Sequence, residues 1–113
     1  LGASGDEAQQ LDTWLSANVP PILGSSAYQH GGALFILWDE SEFELNTACL
    51  LASCPIGMIV LSPYAKGGGY SNSTAYDHSS TLRTLQEIFD VQQPFLGGAA
   101  NATDLSDLFA RFP

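Results

Sequence analysis

Ala33-Leu34-Phe35-Ile36-Leu37-Trp38-Asp39-Glu40 is the stretch whose reading decides the fold class. An apolar run without alternation stops abruptly at two adjacent acids. The run has strand length, far short of the roughly 20 apolar residues that a membrane span needs. Because every second residue is apolar on both faces, it suits a strand covered on both sides, the usual state in a parallel sheet. A second such run, Ile56-Gly57-Met58-Ile59-Val60-Leu61, ends in Ser62-Pro63. Downstream, Leu82, Leu85, Ile88 and Phe89 recur at three- and four-residue spacing. This spacing predicts a helix over 79–90 with one apolar face inward and Ser79 or Ser80 as its cap. Strand, loop, strand, loop, helix is part of an α/β fold.

The flanks add weaker elements. Asp12-Thr13-Trp14-Leu15 opens a short helix capped by Asp12 that ends before Pro20-Pro21, after which the prolines impose an extended path. Ile22 and Leu23 can continue a short helix beyond them. Residues 24–32 read as turn or loop, residues 41–55 as irregular with one helical turn over 48–52, and Gly67-Gly68-Gly69 as a flexible surface loop. Thr103 is expected to cap a last short helix with Leu105, Leu108 and Phe109 inward. Trp14 and Trp38 are assigned to the core, and His30, isolated beside glycines, to a surface or packing role. Two strands are too few for an ordinary doubly wound sheet, so either weaker strands are hidden or the rest of the sheet lies elsewhere.

Composition narrows the function. The chain has 113 residues, 12 acidic groups against 3 basic ones, and a formal net charge of -9. So few cations cannot neutralise a nucleic-acid backbone, and an anionic membrane is disfavoured for the same reason. With 45% hydrophobic and 13% charged residues, the chain is a folded segment with an acidic surface rather than a disordered tail. No transmembrane segment and no signal region is read in it. Two sequons, at Asn72 and Asn101, a Cys49–Cys54 pair and a scarcity of lysine point together to a secreted protein. A local Cys49–Cys54 disulfide needs the loop between them to bend. A zinc site is not read, because further Cys or His ligands are lacking.

Two places can carry chemistry. Asp39-Glu40 follows a buried strand, and ligand sites in open α/β sheets gather at strand carboxyl ends. Adjacent carboxylates repel one another, and a divalent cation would offset that cost. The alternative is a solvated acidic loop, continued by Glu42 and Glu44. The second place is Tyr76-Asp77-His78-Ser79-Ser80, where His78 can ligate metal, pair with an acid or hold a phosphate at the amides opening the next helix. The alternative there is an Asx or Ser/Thr cap beside a partly exposed histidine. Lys66 precedes its glycines instead of following them, so the run is not a phosphate loop of the Walker type. No serine sits in a Gly-x-Ser-x-Gly elbow, and no Ser-His-Asp triad is recognisable.

Taken in order, Leu34-Phe35-Ile36-Leu37-Trp38-Asp39-Glu40, Ile59-Val60-Leu61-Ser62-Pro63-Tyr64-Ala65-Lys66-Gly67-Gly68 and Tyr76-Asp77-His78-Ser79-Ser80-Thr81-Leu82-Arg83-Thr84-Leu85 resemble the phosphoesterase family of acid phosphatases and phosphatidylcholine-type phospholipases C. Asp12-Thr13-Trp14-Leu15 with Val19-Pro20, and the stretch 104–109, resemble its flanking segments, so the likeness runs over about residues 10–110. The resemblance implies the carboxy-terminal portion of an alkaline-phosphatase-like α/β/α sandwich with a mixed central sheet, residues 1–113 being a fragment of one catalytic domain. It implies that Asp39 and Glu40 bind a divalent metal ion of unspecified identity and that His78 is a catalytic residue near the active centre. It implies metal-dependent hydrolysis of a phosphate ester substrate, with the nucleophile and remaining sheet supplied by an amino-terminal portion of the same enzyme, in this chain's precursor or as a separate chain. In many relatives glycines follow the acidic pair, whereas Ser41-Glu42-Phe43-Glu44 follow it here. A non-catalytic secreted α/β module with a binding or structural role is the competing expectation.

Overall fold

The computed structural model describes residues 6–40 and 54–112. The elements are α1 (Glu7–Leu23), α2 (Ser26–Gln29), β1 (Leu34–Leu37), β2 (Met58–Leu61) and α3 (His78–Ile88), followed by 3₁₀ turns at Gly97–Ala100 and Ser106–Leu108. This is an α/β arrangement with a small two-stranded sheet among the described residues.

Helix α1 starts earlier and ends later than its sequence suggests. Asp6, not Asp12, is the N-cap, its carboxylate accepting from the amides of Ala8 and Gln9. Pro20 and Pro21 lie inside the helix rather than ending it. The proline ring fixes φ at a helix-compatible value, so what is lost is the donor to the carbonyls of Ser16 and Ala17. Both residues are exposed, where water can supply that donor. Ile22 and Leu23 continue the helix, as expected. No residue of α1 is buried, and Trp14, assigned to the core from sequence, is 58% exposed.

The two apolar runs do form the strands, but they pair antiparallel, with Leu34 opposite Leu61 and Leu37 opposite Met58. A bond from the Trp38 amide to the Gly57 carbonyl, 3.1 Å, extends the ladder. An unalternating apolar run reports that both faces are greasy, and says nothing about the direction of the neighbouring strand. Neither strand is fully buried here; Leu37, Trp38 and Ile59 are exposed. Trp38 is therefore not a core residue in this chain, although its indole lies against Gly57, where an added Cβ would come within 2.6 Å of the ring.

Helix α3 inverts the expected burial. Its buried residues are Ser80, Thr81, Thr84 and Gln86, whereas Leu82, Leu85 and Phe89 of the apolar stripe are exposed. Much of the polar face is bonded, although the buried Thr81 Oγ1 and Gln86 Nε2 have no hydrogen-bond partner among the described residues. The Thr84 hydroxyl donates to the Ser80 carbonyl and accepts from the Leu105 amide, both at 2.8 Å. Gln86 accepts from the Leu96 amide through Oε1. Arg83 donates to Glu87 and to the Ala99 carbonyl, and its guanidinium lies 4.1 Å from the centre of the Phe95 ring. These bonds bring Ala99, Leu105 and Phe109 into the core of the described residues. Phe109 also meets Phe35 of β1 at 6.3 Å and Phe112 edge-on at 5.7 Å. Leu105 and Phe109 thus point inward as expected, while Leu108 is half-buried and the last turn is 3₁₀.

Candidate functional site

The end of β1 and the start of α3 meet. The capping residue of α3 is Asp77, whose Oδ1 accepts from the Ser80 amide at 2.9 Å, while Ser80 Oγ accepts from the Asp77 amide at 3.2 Å. Ser80 is therefore the reciprocal partner in a capping box, not the cap itself, and Ser79 does not cap the helix either. This box places His78 in the first turn. From there its Nε2 lies 2.7 Å from the backbone carbonyl of Asp39, a residue 39 positions away. The carbonyl can only accept, so Nε2 carries the proton in this contact.

Asp39 and Glu40 are both exposed at the strand end. Asp39 Oδ1 accepts from the Glu40 amide at 3.0 Å. Their carboxylate oxygens are hard donors of the kind that suit Mg²⁺, Mn²⁺ or Ca²⁺. As two oxygen-donor side chains open to solvent, they have the donor chemistry of such a cation's shell without completing one. Among the described residues, no group of three or more His, Cys, Asp or Glu side chains is gathered as a metal shell would require.

A cavity of about 740 Å³ is lined in part by Leu37, Met58, Tyr76, Asp77 and the 66–72 loop; Asp39, Glu40 and His78 are not among its lining residues. Gly68 and Gly69 both have φ near +71°, which lets the loop turn back on itself without a Cβ penalty. The loop is held by a residue that the sequence does not single out. Asp107 accepts from Lys66 Nζ at 2.9 Å through Oδ1, and from Tyr70 Oη at 2.7 Å and Asn72 Nδ2 at 2.6 Å through Oδ2. Chiefly the Lys66 ammonium, then Tyr70 and Asn72, hold the Asp107 carboxyl down from 3.8 to about 2. The same contact with Asp107 raises the Lys66 pKa. Asp107 lies 41, 37 and 35 residues from its partners, so no local motif could reveal it.

The chain's three basic side chains all face protein groups: Lys66 on Asp107 and the Tyr70 ring, Arg83 on Glu87 and Phe95, and Arg111 over the Tyr64 ring at 4.9 Å. Both sequon asparagines are exposed. Asn72 Nδ2 also donates to Tyr76 Oη, and its Oδ1 accepts from the Thr74 amide. Cys54 is half-buried, and no described cysteine is free. Cys49, Glu42 and Glu44 lie outside the described residues, as does the expected helical turn over 48–52. His30 is exposed, its Nδ1 2.7 Å from the Ser26 carbonyl, which suits the surface role read for it. Among the described residues no helix is long and apolar enough to cross a membrane.

A phosphoesterase-family model matches residues 5–92. That span holds β1, β2, α3 and all three of Asp39, Glu40 and His78. No match was found among curated proteins or among solved structures.

Proposed function

This chain belongs to the phosphoesterase family, and on that footing we propose that it takes part in metal-dependent hydrolysis of phosphate esters, as an acid phosphatase or phospholipase C-like enzyme does. The observation that carries the reading is the meeting of two of its matching segments: His78 at the head of α3 bonds to the acidic strand end across 39 residues. In this reading Asp39 and Glu40 supply oxygen ligands to a divalent cation. A bound cation polarises phosphoryl oxygen and offsets the charge that develops there.

The chain acts as part of a larger enzyme. The exposed apolar side chains of α1, the sheet and α3 are the surfaces on which the rest of an alkaline-phosphatase-like sandwich would pack. An amino-terminal portion, outside this sequence or in a separate chain, contributes the nucleophile and the further metal ligands. The residues of this chain then have three tasks. Asp39 and Glu40 hold the cation, His78 organises the strand end, and the 66–72 loop lines the cavity that Leu37 and Asp77 border. Secretion fits the two exposed sequons and the expected Cys49–Cys54 disulfide, both of which belong to this proposal.

The test is hydrolysis of p-nitrophenyl phosphate by the complete enzyme carrying Asp39→Asn or Glu40→Gln. Each change keeps side-chain size and removes charge. Removing several kcal/mol of charge stabilisation should lower kcat/KM by about 100-fold or more, with an unchanged circular dichroism spectrum. Full turnover in both variants would sink the proposal.

A further inference from the structure

We propose that His78 is a positioning residue, a clamp whose Nε2–H grips the peptide joining Asp39 to Glu40 and so sets the direction in which both carboxylates leave β1. The inference rests on the reading of that pair as a metal-binding element. It assigns His78 a task different from binding metal or substrate through Nε2. While Nε2 donates to the Asp39 carbonyl, that nitrogen has no lone pair to offer a metal.

Three observations support the clamp. The contact is made to a backbone carbonyl, so it constrains the peptide unit shared by Asp39 and Glu40 rather than one side chain. The same peptide is fastened at its other end, where the Glu40 amide donates to Asp39 Oδ1 at 3.0 Å. The carbonyl and the amide of one linkage are thus both engaged, which limits rotation of the whole unit. The ring is also mounted on the firmest element available. His78 follows the Asp77 cap directly, Ser80, Thr81 and Thr84 behind it are buried, and Thr84 bonds the Leu105 amide. The strand end it grips is exposed on both residues. The bond therefore transfers order from a packed helix to an unpacked acidic turn. An orienting partner of this kind typically changes metal affinity by 10–100-fold without touching the metal.

The ¹⁵N-labelled complete enzyme, at about pH 8 where a free histidine is neutral, reports the clamp without any activity measurement. Long-range ¹H–¹⁵N spectra should show His78 as the Nε2–H tautomer. His78→Ala should displace the Glu40 amide resonance, and His78→Gln, whose amide can donate to the same carbonyl, should displace it less. Titration with Mn²⁺ alone, read as line broadening at Asp39 and Glu40, should weaken about tenfold in His78→Ala and recover to within about threefold of the parent in His78→Gln. An Nδ1–H tautomer, an unmoved Glu40 amide in His78→Ala, or equal loss of Mn²⁺ in two folded variants would each overturn the clamp. If the complete parent enzyme shows the clamp signature but no broadening at Asp39 and Glu40 at any Mn²⁺ level, the metal reading falls and the hydrogen bond alone survives.

Discussion

Helices α1 and α3 are both capped by an aspartate, yet α3 buries four residues and α1 buries none. The longer helix is the less embedded one. Its caps and its own backbone bonds define it, and its apolar side chains Leu11, Trp14 and Ile22 are exposed. The shorter helix is fixed by side chains that each have a named partner outside it: Thr84 with Leu105, Gln86 with Leu96, and Arg83 with Ala99 and Phe95. The contrast separates two meanings of an amphipathic pattern. In α3 the polar face is the packed face, and the apolar stripe is left for something else to cover. Helix α1 leaves Leu11, Trp14 and Ile22 exposed and Leu15, Val19 and Leu23 half-buried.

Thr84→Val sharpens the comparison most. The variant keeps shape and removes the acceptor that the buried Leu105 amide uses. An unsatisfied buried donor costs about 1–3 kcal/mol, so urea unfolding should report a loss of that size. No loss would mean that α3 is not held through its polar face.

Acid gives a local effect. Asp107 has a depressed folded pKa, so its contribution is fully present above the unfolded value of 3.8 and is lost as pH falls through about 2. The linked loop should therefore be ordered at neutral pH, with Tyr70 and Asn72 losing protection between about pH 4 and pH 2. Asp107→Asn, which cannot pair electrostatically with Lys66, should abolish that transition while leaving α3 protected. Hydrogen exchange at the loop amides checks both statements, and an unaltered acid transition in the variant would contradict them.

The smallest effect belongs to α1. Trp14→Ala in this chain should change stability by no more than about 0.5 kcal/mol, the range for surface sites. In the complete enzyme the same change should cost about 3–5 kcal/mol if the apolar stripe is covered there. Equal, small losses in both contexts would show that α1 stays unpartnered.

Much of this could be read in advance, and the failures have physical causes. The two apolar runs, the helix near Tyr76-Asp77-His78 and the inward Leu105 and Phe109 were legible because periodicity and apolar density mark the type of an element, although in α3 the periodic apolar stripe is the exposed face. Strand direction was not legible, since an apolar run without alternation reads the same for either pairing direction. The passage of α1 through Pro20 and Pro21 was hidden because the prolines sit in its last turn, where the lost donors fall on exposed carbonyls. The polar burial of α3 depended on partners 10–21 residues away. At the site, motif order pointed to Asp39, Glu40 and His78. Their actual contact, imidazole to backbone carbonyl, leaves no trace in residue types, because every residue offers a carbonyl. Asp107 was invisible for a related reason: a single aspartate beside Leu108 carries no mark of the lysine, tyrosine and asparagine it gathers.

Metal analysis of the natively isolated complete enzyme decides whether the acidic strand end holds a metal. Native mass spectrometry should show a bound divalent ion in the parent, and Asp39→Asn and Glu40→Gln should each lose it while keeping the folded charge-state distribution. Equal metal content in the parent and both folded variants would contradict the assignment of Asp39 and Glu40 as ligands.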